Sequence, residues 1–331
     1  VRLIFAGTPE PAVVALKKLL EDSRHEIVAV LTRPDARRGR GKSLSPSPVK
    51  ALALEHDIPV LTPTTLRDEE IQQQIRELNA DCIPVVAYGN LVPEELLDVP
   101  THGWVNLHFS LLPAWRGAAP VQAPVTSSPA AIAAGDEVTG ASTFRIEKGL
   151  DTGPVFGTVT EAIRPTDNAD DLLTRLAYSG ADLLAATMDG IEAGALRPTA
   201  QPEQDVSYAA KFGPEDARIV WTQPRHLLDR RARAFTPAPG AWTTLDGARL
   251  KVGELTPLSD EDSAAVDEVR KAAAPEAAAA TPGELVVEKH RVSVRCADGY
   301  VQLVKVQPQG KKMMDASDWA RGSQPGGKVC E

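Results

Sequence analysis

The chain has 331 residues, 43% apolar and only 5% aromatic, with a formal net charge of −9. That length is about twice a typical domain and predicts two of them, with cores filled mainly by Ala, Val and Leu. The acidic total argues against a nucleic-acid partner until it is divided. Residues 1–206 hold 18 basic and 28 acidic side chains, and residues 207–331 hold 18 and 17. An acidic run at 259–276, with 2 basic and 6 acidic residues, masks a C-terminal part that is otherwise net +5. A basic module on an acidic body is compatible with polyanion binding by one face. Cys82, Cys296 and Cys330 are odd in number, far apart and without metal-ligand spacing. The opening VRLIFAG lacks a charged leader with a cleavage site, and no apolar run reaches membrane-span length. A reducing cytoplasm is the expected compartment.

VRLIFAG (1–7) reads as a buried strand and PEPAVVALKKLLED (9–22) as a helix, with its prolines in the first turn where a missing N–H is harmless. EIVAVLT (26–32) is the next strand. SPVKALALEHD (47–57) and DEEIQQQIRELNA (68–80) are helical. DCIPVVAYG (81–89) is a strand whose Pro84 removes one ladder donor and belongs at its beginning or in an irregular step. WVNLH (104–108) and ASTFRIE (141–147) are further strands, and 168–194 is a long helical region ending at Gly194. Repeated β–α units predict a doubly wound, largely parallel sheet with helices on both faces. After Gly194, prolines at 198, 202 and 214 break up a polar connector, and short strands separated by turns predict a small OB-like β barrel over 207–331. The division is thus 1–194, a linker at 195–206, and 207–331. Residues 259–282, rich in Ala and acids with no evident apolar face, read as a mobile insertion.

Chemistry concentrates at NLHFSLLPAWRGAAP (106–120). Strand alternation puts Asn106 and His108 on one face, about 6–7 Å apart, at the carboxyl end of a strand. In open α/β sheets ligands gather at that edge. An amide and an imidazole there could hold a carbonyl oxygen as the carbon becomes tetrahedral. An Asn-x-His pair at a strand end is also an ordinary hydrogen-bonded structural pair, and spacing alone leaves both readings open. GLDTGP (149–154) sets Asp151 in a glycine-rich turn directly after the strand 141–147. If that strand neighbours 104–108, Asp151 meets His108. RPDARRGRGK (33–42) carries net +4 and two glycines, which predict a flexible basic loop or simply a solvated charged face.

These residues resemble the methionyl-tRNA formyltransferase family. The resemblance runs from FAGTPEPAV (5–13) through RGRGKSLSPSPVK (38–50), VVAYGNLVP (85–93), NLHFSLLPAWRGAAPVQ (106–122) and GLDTGPVF (149–156), and on to SYAAKFGPEDARIVW (207–221), FTPAPGAWTTLDG (235–247) and GKKMMDASDWARG (310–322). It implies a Rossmann-like formyltransferase domain followed by an OB-like domain. It also implies transfer of a formyl group from 10-formyltetrahydrofolate to the α-amino group of methionine on initiator tRNA, during translation initiation and without a metal. Asn106, His108 and Asp151 match the family's catalytic positions. Ser110, Leu111, Leu112 and Pro113 match its folate-contacting motif, and Tyr88, Gly89 and Asn90 resemble a second segment of that pocket. Arg37, Arg38, Arg40 and Lys42 match a loop that enters the acceptor end of the tRNA, with Arg40 the foremost contact. Lys311, Lys312 and Arg321 would hold the tRNA body. A monomer is expected. Two departures stand out: PVTSSPA (124–130) lengthens the chain after the motif and interrupts an expected helix, and the 259–282 insert is unusual. A folate-dependent formyltransferase for a small amine, or a formyl-folate hydrolase, would share the same three residues. A non-enzymatic nucleotide- or RNA-binding protein with a doubly wound domain is opposed by AGTPEP, which lacks the Gly-x-Gly-x-x-Gly loop, and by Asn106, His108 and Asp151, which it would leave unexplained.

Overall fold

The structure is a computed structural model and describes residues 1–21, 24–38, 43–117, 127–276 and 279–331. The chain divides into two compact units. The first comprises residues 1–131, 137–164 and 171–211; the second comprises 132–136, 165–170 and 212–331.

The run from β1 (Arg2–Gly7) onward follows the expected alternation. There follow α1 (Glu10–Glu21), β2 (Glu26–Leu31), a hairpin β3 (Ala36–Arg38) and β4 (Ser43–Ser45), and α2 (Pro48–Glu55). Next come β5 (Val60–Leu61), α3 (Glu69–Glu77), β6 (Ile83–Val86), α4 (Glu94–Leu97) and β7 (Trp104–His108). The series ends with α5 (Ser127–Ala134), β8 (Val138–Arg145), β9 (Val155–Ala162) and α6 (Ala169–Glu192). The seven-stranded sheet has the order β5-β2-β1-β6-β7-β8-β9. β5 through β7 are parallel, whereas β8 and β9 close the edge antiparallel. The parallel part needs covered faces, and Leu3, Ile4, Phe5 and Ala6 are accordingly all fully buried. Strand order reverses beside β1, which puts a crevice at the carboxyl ends of β1, β6 and β7. Pro84 is the second residue of β6, opposite Val105, and the pairing with β1, made at Cys82 opposite Leu3, is interrupted there and resumes at Val85.

The second unit holds a 3-10 turn (Pro214–Ala217), α7 (Arg225–Ala234), β10 (Trp242–Leu245), β11 (Ala248–Pro257) and α8 (Asp260–Ala273). It continues with β12 (Leu285–Val287), β13 (Val292–Cys296), β14 (Gly299–Pro308), β15 (Met314–Asp315) and α9 (Ala316–Ser323). Its antiparallel sheet has the order β10-β11-β14-β13-β12, with β15 on β14. Register shifts between Val252 and Leu255 bend β11. The sheet is a half-barrel, and β10 and β12 are not neighbours in it. Residues 327–331 bridge its edges instead. Thr244 and Glu331 exchange two backbone bonds, at 3.0 and 2.9 Å, while Cys330 donates to Gly283 O and Val329 lies opposite Glu284.

Three sequence expectations need correction. The stretch 195–206 is not a free linker: Thr199 and Val155 exchange backbone bonds of 2.7 and 2.8 Å, and the first unit runs on to Lys211. Residues 260–273 do have an apolar contact to bury, because α8 packs Val266 against Leu258, Val286 and Tyr300. In the 124–130 stretch, residues 124–126 lie outside the described residues, and Pro129 does not interrupt α5 but sits in its first turn. Among the described residues no helix is long and apolar enough to cross a membrane.

Candidate active site

β7 carries the site. Its alternation leaves Asn106 and His108 half-buried between the buried Val105 and Leu107. β8 is its antiparallel neighbour, with Asn106 opposite Phe144 and His108 opposite Ser142. The edge of the His108 ring meets Phe144 at 6.4 Å between centroids. The Asn106 side chain has no hydrogen-bond partner among the described residues, so its amide donor is available to a ligand.

The chain beyond His108 is fixed by polar contacts at its base. Ser142 Oγ donates to Ser110 O at 2.7 Å and accepts from Leu112 N at 3.1 Å, while Ser110 Oγ donates to Ala114 O at 2.6 Å. The segment then turns back toward β7, and the carbonyl of Trp115 lies 2.9 Å from His108 Nε2. On the other side of the ring, Asp151 Oδ2 stands 3.7 Å from His108 Nδ1, each side chain 11% exposed. The same oxygen accepts from Gly117 N at 2.8 Å. Each imidazole nitrogen therefore faces an oxygen, and Asp151 is oriented by a backbone N–H. The turn bearing Asp151 is tight: Asp151 has φ +50°, and a Cβ on Gly153 would lie 1.7 Å from Arg145 O. The sheet register thus brings Asn106, His108 and Asp151 to one edge. An open depression of about 520 Å³, lined by Arg116, Thr152, Gln201 and Tyr208 among others, adjoins that turn.

Residues 1–188 match the formyl transferase family, and 211–324 match the formyl transferase C-terminal domain. Over 326 residues the chain is 58% identical to a methionyl-tRNA formyltransferase of Corynebacterium aurimucosum, covering 97% of this chain and 94% of that one. It is 54% identical over 322 residues to a methionyl-tRNA formyltransferase of Streptomyces coelicolor, covering 97% and 96%. The chain belongs to the methionyl-tRNA formyltransferase family. In fold it is also similar to a sugar 3N-formyl transferase crystallised with dTDP and 5-N-formyl-THF, at a TM-score of 0.61 and 17% identity, covering 94% of this chain and 99% of that one.

Within this formyltransferase the residues expected to contact folate divide into two kinds. Ser110 is fully buried and Leu112 and Pro113 are buried, while Leu111 is half-buried against Gly140. The Tyr88 ring belongs to the core around Ile4, Leu96 and Trp104, and burial pushes its phenol up to about 12. Gly89 and Asn90 are more open; Asn90 Oδ1 accepts from Arg33, and Gly89 adopts φ +87°. Arg37 is exposed on β3, and Arg38 is the last residue of that strand. Arg40 and Lys42 lie outside the described residues. Lys311 and Lys312 are exposed between β14 and β15, and Arg321 on α9 pairs with Asp318. Among the described residues no group of three His, Cys, Asp or Glu side chains could hold a metal ion. Sequence reasoning missed Ser142, Arg116, Gln201 and Ser207, which brace the site. Ser142, Gln201 and Ser207 are tied to it through partners distant in the chain, and Arg116, although inside 106–120, reveals its part only through the distant Gln201.

Proposed function

We propose that the edge of β7 transfers the formyl group of 10-formyltetrahydrofolate to the α-amino group of methionine carried by initiator tRNA. The neutral amine attacks the formyl carbon, forming the new C–N bond and turning the carbonyl oxygen into an oxyanion. The Asn106 amide stabilises that oxyanion directly; the His108 Nε2–H, which faces Trp115 O in the free enzyme, turns to the oxyanion in exchange for that contact, while Asp151 holds the ring at Nδ1. Collapse re-forms the carbonyl and breaks the bond to the folate nitrogen. The attacking amine gives up one proton and the departing nitrogen takes one, with Asp151 and His108 placed to relay it through water. The observation that carries this reading is the meeting of an amide, an imidazole and a carboxylate at one strand end in a chain of this family.

The folate would lie between the turn after β6, at 88–90, and the segment 110–113. Since Ser110, Leu112, Pro113 and Tyr88 are already packed, their part is to hold the walls. Backbone groups, Leu111, Gly89 and Asn90 would make the contacts. Arg37, Arg38, Arg40 and Lys42, with Lys311, Lys312 and Arg321, would contact tRNA phosphates, and the chain would act as a monomer.

The test is transfer from 10-formyltetrahydrofolate to methionine-charged initiator tRNA, compared with small amine acceptors. His108→Ala is expected to lower kcat by about 10²–10⁴-fold. Wild-type kcat in that variant, or equal kcat/KM with a small amine, would defeat the reading.

A further inference from the structure

We infer that Gln201 is a positioning residue for formyl transfer, holding the turn that presents Asp151 to His108. The inference rests on the reaction proposed above. Gln201 lies in the proline-rich stretch after α6, a region with the composition of a connector.

The amide of Gln201 is used at both ends. Its Nε2 donates to two carbonyls of the Asp151 turn, Asp151 O at 2.7 Å and Gly153 O at 2.8 Å. Its Oε1 accepts from Arg116 Nε at 3.1 Å and Nη2 at 2.7 Å. Arg116 is 9% exposed and directly precedes Gly117, whose N–H grips the Asp151 carboxylate. Gln201 therefore constrains Asp151 twice, at its backbone directly and at its carboxylate through Arg116 and Gly117. The chain bearing Gln201 is itself anchored on both sides. Thr199 pairs with Val155, while Ser207 O accepts from Arg116 N at 2.8 Å and Ser207 Oγ from Trp115 N at 2.9 Å.

Two roles can be separated on chemistry. Satisfying a buried guanidinium needs only the acceptor end of Gln201. The donor end does something else. It pins a left-handed aspartate whose oxygen stands 3.7 Å from the imidazole, a spacing that a small slide of the turn would change. Misplacement of about 1 Å at a reacting group lowers a rate by up to about a hundredfold.

Gln201→Glu keeps an acceptor for Arg116 and removes the donor. The expected result is a folded protein that binds both substrates with wild-type KM while kcat falls between about tenfold and a hundredfold. Asp151→Asn supplies the second arm. If Gln201 works through Asp151, adding Gln201→Glu to Asp151→Asn lowers kcat no further. Wild-type kcat in Gln201→Glu, or a double-variant loss equal to the product of the two single losses, would overturn the inference and leave the proposed reaction standing. Wild-type kcat in Asp151→Asn would instead remove the role proposed for Asp151, and this inference with it. Should Gln201→Glu fail to fold, Gln201→Met, which removes both ends of the amide, is read by the double-variant comparison with Asp151→Asn alone, with rates normalised to the fraction of protein that binds the formyl donor: no further loss of kcat supports the inference and a multiplicative loss overturns it.

Discussion

Asn106 shows how much one residue can separate stability from chemistry. It occupies a strand position that alternation would give to a core side chain, opposite the buried Phe144, yet it is half-buried and its amide has no partner among the described residues. Water can serve that amide, so little folding energy rests on it. A donor aimed at a developing oxyanion is worth about 3–4 kcal/mol in the transition state. Asn106→Ala is therefore expected to leave Tm close to wild type while lowering kcat about 10²–10³-fold. Thermal unfolding and single-turnover transfer on the same preparation check this; a large drop in Tm would make Asn106 a structural residue. Asn106 and His108 were legible because strand alternation has a fixed period. Asp151 was legible as a candidate through its flanking glycines. Their meeting depends on β8 lying beside β7, a non-local pairing that alternation cannot supply. Gln201 was hidden for the same reason, since its partners lie 48, 50 and 85 positions away.

At the scale of elements, α8 is the instructive departure. Its start carries the expected helix grammar. Ser259 Oγ accepts from Asp262 N at 3.0 Å, Asp260, Glu261 and Asp262 fill the first turn, and Arg270 and Lys271 the last. What composition concealed is that a helix needs few apolar contacts if they are well placed. Val266 is fully buried, Tyr300 Oη donates to Asp267 at 2.6 Å, and Arg270 pairs with Glu284 at 2.6 Å. Burial pushes the Tyr300 phenol well above its ordinary range, and the neighbouring Asp267 adds to the effect, so this bond persists at neutral pH. Val266→Ala is expected to destabilise the second unit by about 1–2 kcal/mol through the cavity it leaves. Val269→Ala, three residues on and 38% exposed, should stay within about 0.5 kcal/mol. Denaturant unfolding of the two variants compares them directly. Equal small effects would mean that the helix is dispensable to the fold and return 259–282 to the status of a loose insertion.

Across the whole molecule, the change of character after Gly194 correctly announced a second module. A polar, proline-broken segment such as 195–206 reads as a connector even though its backbone at Thr199 is engaged by the first unit. The cysteines offer a way to watch the two units separately. Cys82 lies in the first unit, Cys296 and Cys330 in the second, and all three are buried free thiols. Burial pushes Cys82 and Cys330 up to about 12. A raised thiol pKa means less thiolate at any given pH, so at pH 8 these groups stay protonated in the folded state. Labelling then requires opening, and the openings differ in size. Cys82 is tied to β1 of the parallel sheet through both its backbone groups, with Cys82 N donating to Arg2 O and Cys82 O accepting from Ile4 N. Cys330 sits in the segment 327–331, which a local separation from Thr244 and Gly283 would release without dismantling the sheet. Pulsed thiol labelling in rising urea at pH 8, read by peptide mass, should therefore modify Cys330 at concentrations where Cys82 remains protected. Simultaneous modification would show that the bridge across the half-barrel opens only with global unfolding, and the reverse order would show that the parallel sheet is the weaker of the two structures.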